Sequence, residues 1–412
     1  MWWRRGTPSS AIEHAGDGRR GAGDVRTEVG GQCDVAVVGG GPAGCATALR
    51  LRQHDPDLAV ALIEASGYTQ ERIGESLPPM TQPLLEGLGV WDRFCAQDHL
   101  RAFGTVSTWG SGRPAGDDFI TSPFGRGWHL DRHDFDSMLA GEAASRGVQV
   151  QMRTRPIGVE RRSAGFQLRL EGPAGRRSLT ASFIVDATGR RAIVARRFGA
   201  RRLLDDRLVG VFAFFRLAAA GCRDTRLLVE PFEDGWWYTA RLSRDRAVVA
   251  LMTDSDIVRG RQLWQPQEWL AALQATHHVR ARLESAELEG APRLVQASSG
   301  RLDPPSGDDW LAVGDAASTF DPLSGQGILK ALRAGSCAAY AISDHLRGDA
   351  GALAKYRRFV EREYHSYLGT RGAYYATERR WPRSPFWRCR RVAADTTAAP
   401  MAGFAGPQAD RA

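Results

Sequence analysis

Hydrophobic residues follow two different patterns along this chain, and the first pattern occurs near the N-terminal end. The runs CDVAVV (33–38) and DLAVALIEAS (57–66) are almost continuously apolar, and a glycine-rich turn and a helix-like segment lie between them. Continuous apolar runs of this length are typical of strands that are buried on both faces of a parallel sheet. The pattern therefore predicts a strand, a tight turn, a helix and a second strand, joined as a βαβ unit.

The second pattern is an alternation of apolar and polar residues over 207–254. The segments RLVGVFAFFRL, TRLLVEPFEDGWWYTARL and AVVALMTD are separated by short turns, which predicts consecutive strands of an antiparallel sheet. Within DGWWYTARL, Trp236 and Tyr238 lie on one face of the strand and Trp237 lies on the other. We expect one face to pack on the core and the other to line a cleft that contains Trp236 and Tyr238. Packing of both faces within the sheet is the alternative.

Helix signals flank these strands. Asp131 precedes a helical segment that ends at Gly147, and Pro266 occupies the first turn of another helix. The chain returns to alternating strand and helix at DDWLAVGDAASTFDPLSGQGILKAL and finishes with amphipathic helices. We therefore predict a mixed α/β fold, in which an antiparallel sheet is inserted into a Rossmann-type domain.

Composition and charge narrow the range of functions. The chain has 412 residues, of which 43% are hydrophobic and 25% are charged, as in a globular protein. The net charge of +8 comes from arginine, since Lys330 and Lys355 are the only lysines, and no basic stripe with interleaved aromatic residues favours nucleic-acid binding. Because we recognise neither a membrane span nor a secretory signal, we expect a cytoplasmic protein without a membrane partner.

Neither the cysteines nor the histidines predict a metal site. The six cysteines are far apart and include no C-x-x-C pair, which argues against zinc, iron–sulfur clusters and a disulfide framework. The pairs His129/His133 and His277/His278 have no acidic partner that would complete a set of ligands. We therefore expect no metal.

A glycine-rich turn joins the first predicted strand and helix. It has the G-x-G-x-x-G spacing, and its predicted cofactor-binding residues are Gly39, Gly41, Pro42, Ala43 and Gly44. The glycines allow a tight turn, a close approach of the backbone to a pyrophosphate and close helix packing, while the helix N-terminus faces the phosphates. Glu64 ends the second strand, where its carboxylate would accept hydrogen bonds from ribose hydroxyls. The pattern predicts an adenine dinucleotide site; a glycine-rich turn without a ligand is the alternative.

Two later segments favour FAD over NAD. LAVGDAASTFDPLSGQGI resembles the second FAD motif of the aromatic-hydroxylase and geranylgeranyl-reductase superfamily, and FIVDATGRRA resembles its D-x-x-G segment. The resemblance implies that Asp315 holds a ribityl hydroxyl, that Arg132 lies near the FAD phosphate and ribose, and that a loop before a helix faces the flavin ring. The residues assigned to FAD on this basis are Arg132, Asp186, Gly314, Asp315, Pro322, Gly325, Gly327 and Ile328. A helix cap for Asp315 and a surface salt bridge for Arg132 are the alternatives.

The segment RIGESLPPMTQPLLEGLGVWDRF resembles the G-E-[ST] segment of flavin-dependent tryptophan halogenases and their hydroxylating relatives. The resemblance implies that Glu75 and Ser76 contact FAD. Those halogenases carry W-x-W-x-I-P where this chain has WWYTAR, and they use a lysine that receives hypohalous acid. No lysine precedes Lys330, and arginine, which stays protonated, cannot replace it, so we do not expect halogenation.

A sister group resembles the chain more closely, from Cys33 to Arg391. Its members are flavoproteins encoded beside quinone-cofactor enzymes, such as quinohaemoprotein amine dehydrogenase and lysine or glycine oxidases with cysteine tryptophylquinone. The matching segments are IGESLPP, DGWWYTARL, GDDWLAVGDAASTFDPLSGQGI and ERRWPRSPFWRCRR. The resemblance implies an FAD-dependent monooxygenase that hydroxylates an indole through a flavin C4a-hydroperoxide. The indole would belong to a small molecule or to a tryptophan of a peptide or protein precursor.

This activity implies further partners and few catalytic side chains. Molecular oxygen would be the co-substrate, and NAD(P)H or a partner flavin reductase would supply electrons. Trp236 and Tyr238 would orient the indole, and Asp321 would take the proton lost on rearomatisation; a turn-capping aspartate is the alternative. Two other functions stay open, namely a reductase or dehydrogenase of an apolar small molecule and a flavin-containing assembly factor without turnover.

Predicted domain boundaries follow from these assignments. The FAD-binding domain comprises 32–110, 128–200 and 295–348, and the antiparallel-sheet substrate domain comprises 111–127 and 201–294. Residues 349–395 are predicted to form C-terminal helices. The leader 1–31 and the tail 396–412 lack a hydrophobic period and are predicted to be disordered.

Overall fold

Strands and helices alternate through the computed structural model, which describes residues 31–218 and 223–392. The predicted leader and tail, and 393–395 of the predicted C-terminal helices, lie outside the described residues apart from Gly31. The strands are β1 (Gln32–Val38), β2 (Val60–Ile63), β3 (Ser76–Leu77), β4 (Leu100–Ala102), β5 (Gly104–Ser107), β6 (Ala115–Asp118), β7 (Gly127–His129), β8 (Gln149–Gln151), β9 (Arg155–Arg162), β10 (Gly165–Gly172), β11 (Gly175–Asp186), β12 (Arg201–Leu204), β13 (Leu208–Arg216), β14 (Leu227–Phe232), β15 (Gly235–Arg241), β16 (Arg246–Asp254), β17 (Glu287–Gln296), β18 (Gly300–Asp303), β19 (Trp310–Ala312) and β20 (Ser318–Thr319). The helices are α1 (Pro42–His54), α2 (Gln82–Gly87), α3 (Trp91–Cys95), α4 (Arg132–Ser145), α5 (Ile193–Arg197), α6 (Ser255–Gly260), α7 (Pro266–Gln274), α8 (His278–Arg282), α9 (Gly327–Leu346), α10 (Ala352–Thr377) and α11 (Pro385–Val392).

A parallel sheet holds the N-terminal part of the fold. Its strands lie in the order β8-β2-β1-β11-β19, and the hairpin β9–β10 pairs antiparallel with β11. Val35 of β1 pairs in register with Val60 of β2 and Phe183 of β11, and all three side chains are buried. The predicted βαβ unit is therefore confirmed as β1–α1–β2, and the carboxyl ends of the parallel strands meet at one edge of the sheet.

Helix α9 packs closely on α1 because small residues line their contact. A Cβ atom added to Gly335 would lie 2.5 Å from the Ala43 carbonyl oxygen and 2.9 Å from the Ala46 Cβ. A Cβ atom added to Gly314 would lie 2.6 Å from the Ala43 Cβ. The first turn of α1 is thus held between α9 and the Gly314 turn, a position that any larger side chain would disturb.

The second large sheet has the strand order β17-β13-β16-β15-β14-β5-β6 and is antiparallel except between β14 and β5. Trp237 packs on the face that α7 covers through Trp269. Trp236 and Tyr238 pack on the other face together with Tyr375 of α10 and aromatic residues of α11. Trp237 and the pair Trp236 and Tyr238 lie on opposite faces of β15, as predicted, and both faces are buried, as in the packing alternative. A cleft lined by Trp236 and Tyr238 stays a prediction.

Other predictions from local patterns agree with the structure. Asp131 caps α4 by accepting a hydrogen bond from the His133 N–H, and Pro266 begins α7. The mixed α/β fold is confirmed. The second sheet takes β5 and β6 from 104–118 and the rest from 208–296, while the predicted domain boundaries stay a prediction. None of the described helices is long and apolar enough to cross a membrane.

Candidate flavin site

The turn between β1 and α1 leaves open space at one glycine. Gly39 has a φ of +111°, and a Cβ atom there would lie 2.2 Å from the Ala187 carbonyl oxygen. A Cβ atom on Gly44 would lie 1.9 Å from the Gly39 carbonyl oxygen, whereas one on Gly41 would meet no atom within 4 Å. Gly39 and Gly44 therefore permit the turn itself. Gly41 leaves free the space at the N-terminus of α1, where this motif binds a pyrophosphate.

Glu64 supports this turn from the end of β2. Its carboxylate accepts hydrogen bonds from the backbone N–H of Gly40 at 2.7 Å and of Ser66 at 2.8 Å. The Tyr68 hydroxyl donates to the Gly40 carbonyl oxygen at 2.8 Å. Glu64 is buried and holds the glycine turn in place, while its contact with a ribose stays a prediction.

Arg132 begins α4 and links it to the turn at Gly74. Its guanidinium donates to the Asp136 carboxylate at 2.9 and 3.1 Å and to the carbonyl oxygens of Ile73 and Gly74, both at 3.2 Å. Burial alone would lower the pKa of Arg132, but the neighbouring Asp136 carboxylate raises it. Arg132 is therefore partly buried and stabilises the turn at the exposed Gly74, unlike the surface salt bridge of the alternative.

Glu75 and Tyr238 form a buried hydrogen-bonded pair next to Gly74. The Gly74 N–H donates to Glu75 Oε2 at 2.7 Å, and the Tyr238 hydroxyl bonds to the same carboxyl group. Burial raises the pKa of Glu75, so its proton is held at a higher pH than on an ordinary glutamate. The neighbouring Ser76 Oγ is buried and has no hydrogen-bond partner within the described part of the chain, so it is free to bond to a ligand.

Asp186 ends β11 and shapes the loop that follows. Its carboxylate accepts hydrogen bonds from the Thr188 N–H at 2.9 Å, the Thr188 hydroxyl at 2.6 Å and the Ala195 N–H at 2.8 Å. Asp186 is fully buried, so the structure does not bring its carboxylate to the surface of the site. A direct contact between Asp186 and FAD stays a prediction.

Asp315 presents an ionised carboxylate in the short turn Gly314–Ala316. Its side chain is 37% exposed, with Lys330 Nζ 2.8 Å from Oδ1 and Arg190 Nε 3.6 Å from Oδ2. Burial raises the pKa of Asp315, but the charges of Lys330 and Arg190 outweigh this effect and lower it. No side-chain cap begins this turn, so the helix-cap alternative for Asp315 is not observed.

The loop before α9 exposes its backbone. Pro322 begins a short 3-10 turn that ends at Gly325, whose φ is +60°. Gly325 and Gly327 are exposed, and a Cβ atom on either would meet no atom within 4 Å. Ile328 packs into the core beneath them. A ligand can therefore reach the N-terminus of α9, where negative charge is stabilised.

Asp321 is engaged on both carboxylate oxygens. Oδ1 accepts a hydrogen bond from the Leu323 N–H at 2.9 Å, and Oδ2 accepts from the Tyr375 hydroxyl at 2.8 Å and from Arg371 Nε at 3.2 Å. The turn-capping alternative for Asp321 is therefore observed. The Asp321 carboxylate is buried and ion-paired, and its role as a base stays a prediction.

Tyr375 connects two of the predicted catalytic residues. Trp236 Nε1 donates to the Tyr375 hydroxyl at 3.0 Å, and that hydroxyl donates to Asp321. Arg371 extends the network to the Asp206 carboxylate at 2.7 Å. The structure thus joins Trp236 to Asp321 through α10, and it joins the third predicted residue, Tyr238, to Glu75 instead.

Sequence reasoning missed the contribution of α10 to this network. The residues concerned are Tyr367, Arg371 and Tyr375. They follow one another at intervals of four residues, so they share one helix face, and this spacing was the available signal.

One premise of the metal prediction is wrong. Ligand atoms of Asp131, His133 and Asp134 lie within 4.8 Å of one another, so acidic residues do accompany His133. All three residues are exposed. Two local contacts bring them together: Asp131 caps α4 by bonding to the His133 N–H, and His133 Nδ1 lies 2.8 Å from Oδ1 of its neighbour Asp134. An exposed cluster of this kind does not by itself make a metal site.

These surroundings fit FAD. The open position at Gly41, the unpartnered Ser76 Oγ and the exposed carboxylate of Asp315 supply a space, a polar contact and an acceptor for ribityl hydroxyls. Gly314 lies against Ala43, so the pyrophosphate turn and the Asp315 turn are neighbours. The arrangement lies at the carboxyl ends of parallel strands, where α/β sheets bind dinucleotides.

Comparisons with known proteins agree with this assignment. Residues 32–359 match the family described as FAD binding domain. The chain is 32% identical over 360 residues to LodB of Marinomonas mediterranea, named as an FAD-dependent oxidoreductase, and the match covers 87% of this chain and 96% of LodB. The flavin-dependent halogenase CmlS is 28% identical with a TM-score of 0.79, covering 87% of this chain and 68% of CmlS. The peptidyl tryptophan dihydroxylase QhpG, essential for tryptophylquinone cofactor biogenesis, is 26% identical with a TM-score of 0.71, covering 87% of this chain and 79% of QhpG.

Proposed function

We propose that this chain, which belongs to the FAD binding domain family of flavin-dependent oxidoreductases, is a monooxygenase. Its proposed substrate is the indole ring of a tryptophan in a peptide or protein. The observation that carries the proposal is the similarity in fold and sequence, over 87% of the chain, to a peptidyl tryptophan dihydroxylase. The match to nearly the whole of LodB supports an FAD-dependent oxidoreductase of the same size.

The two lysines argue against the halogenation that other relatives perform. Lys330 is buried, and its ammonium bonds to Asp315 and to the Ser318 carbonyl oxygen. Lys355 lies on the surface in an ion pair with Asp349. Neither amine is free beside the candidate flavin site, so a lysine that could receive hypohalous acid is lacking.

Bound FAD, once reduced, supplies the oxygen atom by reacting with molecular oxygen. The residues of the chain then have to bind the cofactor, exclude water and place the indole, whose electron-rich carbon forms the new C–O bond. Gly41 and Asp315 would hold the pyrophosphate and the ribityl chain of the cofactor, and Ser76 would supply a further polar contact. The network from Trp236 through Tyr375 to Asp321 fixes the loop before α9 against the second sheet.

Proton transfer is best served by Glu75. Its buried carboxyl group has a raised pKa and bonds to the Tyr238 hydroxyl, so Glu75 can hold a proton at that position. Asp321 is the less suitable base, because Arg371 and Tyr375 already occupy Oδ2. Electrons would come from NAD(P)H or a partner flavin reductase, since the G-x-G-x-x-G turn between β1 and α1 is assigned to FAD.

The test offers the reduced holoenzyme a peptide with one tryptophan, in buffer containing isotopically labelled oxygen and chloride or bromide. We expect the peptide to gain labelled oxygen by mass spectrometry, at the tryptophan by fragmentation. The same peptide with phenylalanine in place of tryptophan is the control and should stay unmodified. A halogenated product would establish the halogenase that the likeness to CmlS suggests, and flavin oxidation without peptide modification would contradict the peptide substrate.

A further inference from the structure

Lys330 is a buried lysine in a chain whose other basic residues are nearly all arginine. It is 3% exposed, and its ammonium donates to Asp315 Oδ1 at 2.8 Å and to the Ser318 carbonyl oxygen. The same nitrogen lies 4.6 Å from the centroid of the Phe320 ring. Burial lowers the pKa of Lys330, and the charges of Arg190 and Arg202 lower it further, although the Asp315 carboxylate favours the charged form.

Lys330 belongs to a group of cations that we call the Asp315 cation cluster, which consists of Lys330, Arg190 and Arg202. Arg190 Nε lies 3.6 Å from Asp315 Oδ2, and Arg202 Nη2 donates to the Asp315 carbonyl oxygen at 2.9 Å. Within 31–218 and 223–392, no carboxylate other than Asp315 lies within ion-pair distance of the three cations. Lys330 and Arg190 therefore face the carboxylate of Asp315, and Arg202 adds a third positive charge at its backbone.

This excess of positive charge is only partly compensated by the protein. Two nitrogens of Arg202, Nε and Nη1, are buried and have no hydrogen-bond partner in the part of the chain that the structure describes. Burial lowers the pKa of Arg202. The charge of Arg190 lowers it further, whereas the charge of Asp315 raises it. Buried cations without matching anions are unfavourable, so a bound anion beside Asp315 would stabilise the cluster.

We propose that the Asp315 cation cluster makes this site bind reduced FAD more tightly than oxidised FAD, with Lys330 as the residue that positions Asp315 and supplies charge. The inference rests on the proposed contact between Asp315 and FAD. Two electrons and one proton convert the neutral oxidised ring of a flavin into an anion, and a nearby positive charge favours the anion. The electrons come from NAD(P)H or a flavin reductase, as in the proposed function.

This preference determines how the protein acquires its cofactor. A ligand shifts an equilibrium only by its difference in affinity for two states, so a site that prefers reduced FAD raises the reduction potential of the flavin it holds. Such a site can also take FAD that a separate reductase has already reduced.

The test measures dissociation constants of oxidised FAD and, without oxygen, of reduced FAD for the wild-type chain and Lys330→Met. We expect the wild type to bind reduced FAD more tightly than oxidised FAD. In Lys330→Met, the ratio of the two affinities should be about tenfold smaller. A tenfold loss corresponds to a fall of about 30 mV in the two-electron potential of bound flavin. Lys355→Met is the matched control, since it removes the other lysine from a surface ion pair, and it should keep the wild-type ratio.

A second variant keeps the test decisive if Lys330→Met folds poorly. Arg190→Gln removes a partly exposed cation of the same cluster and should lower the ratio of the two affinities in the same direction. An equal loss of affinity for both forms of FAD in these variants would overturn the proposal. A wild-type chain that binds neither form would instead contradict the FAD site itself.

Discussion

Gly41 is the single residue at which the cofactor site can be tested with least disturbance of the fold. Its φ of −74° and ψ of −179° are open to any residue, and an added Cβ atom meets no neighbour within 4 Å. Gly41→Val should therefore change the free energy of unfolding by no more than about 1 kcal/mol. Its side chain would occupy the pyrophosphate position, so we expect soluble protein that lacks the flavin absorbance of the wild type.

The matched control for this variant is Gly141→Val. Gly141 is an exposed position of α4 where an added Cβ atom also meets nothing within 4 Å, and it is not part of the candidate site. This variant should keep its FAD. Stoichiometric FAD in Gly41→Val, measured by absorbance after denaturation, would contradict the assignment of the glycine turn.

At the scale of secondary-structure elements, the Tyr375 hydroxyl attaches α10 to the second sheet. That hydroxyl accepts a hydrogen bond from Trp236 Nε1 and donates one to Asp321, and the residue is buried. Tyr375→Phe leaves both partners without their bond, which costs about 1–3 kcal/mol for buried groups. Urea denaturation of the FAD-free protein should show this loss without a contribution from cofactor binding.

Tyr340→Phe is the control for Tyr375→Phe, because Tyr340 is 42% exposed on α9. Removal of an exposed hydroxyl should change the free energy of unfolding by less than about 0.5 kcal/mol. If the two variants lost the same stability, the hydroxyl of Tyr375 would not join α10 to the second sheet.

The same elements show what the sequence could and could not predict. The β1–α1–β2 unit and the two faces of β15 depend on neighbouring residues, so local periodicity predicted them. The bonds of Tyr375 to Trp236 and Asp321 span 139 and 54 residues, and no local pattern sets such distances. A strand-end aspartate such as Asp186 can likewise face a ligand or its own loop, and packing, which no local pattern sets, decides between the two.

Across the whole molecule, His129 should make folding stability depend on pH. It lies in β7 next to Ser76 of β3, is 1% exposed, and its Nε2 donates to the Thr225 carbonyl oxygen at 2.7 Å. Burial lowers the pKa of His129 from 6.5 to about 4. The unfolded chain therefore binds a proton at a pH where the folded chain does not, and stability falls as the pH decreases from about 6.5 to about 4.

This shift predicts a loss of about 3 kcal/mol over that interval from His129 alone. His129→Gln can still donate to the Thr225 carbonyl oxygen but does not titrate, so its free energy of unfolding in urea should fall less steeply between pH 6.5 and pH 4. His365→Gln, at an exposed position of α10, should keep the steeper wild-type decline. A His129→Gln variant with the wild-type slope would show that other groups cause the acid sensitivity. Because β7 pairs with β3, which carries Ser76 of the candidate site, FAD release should follow the same pH dependence in the wild type.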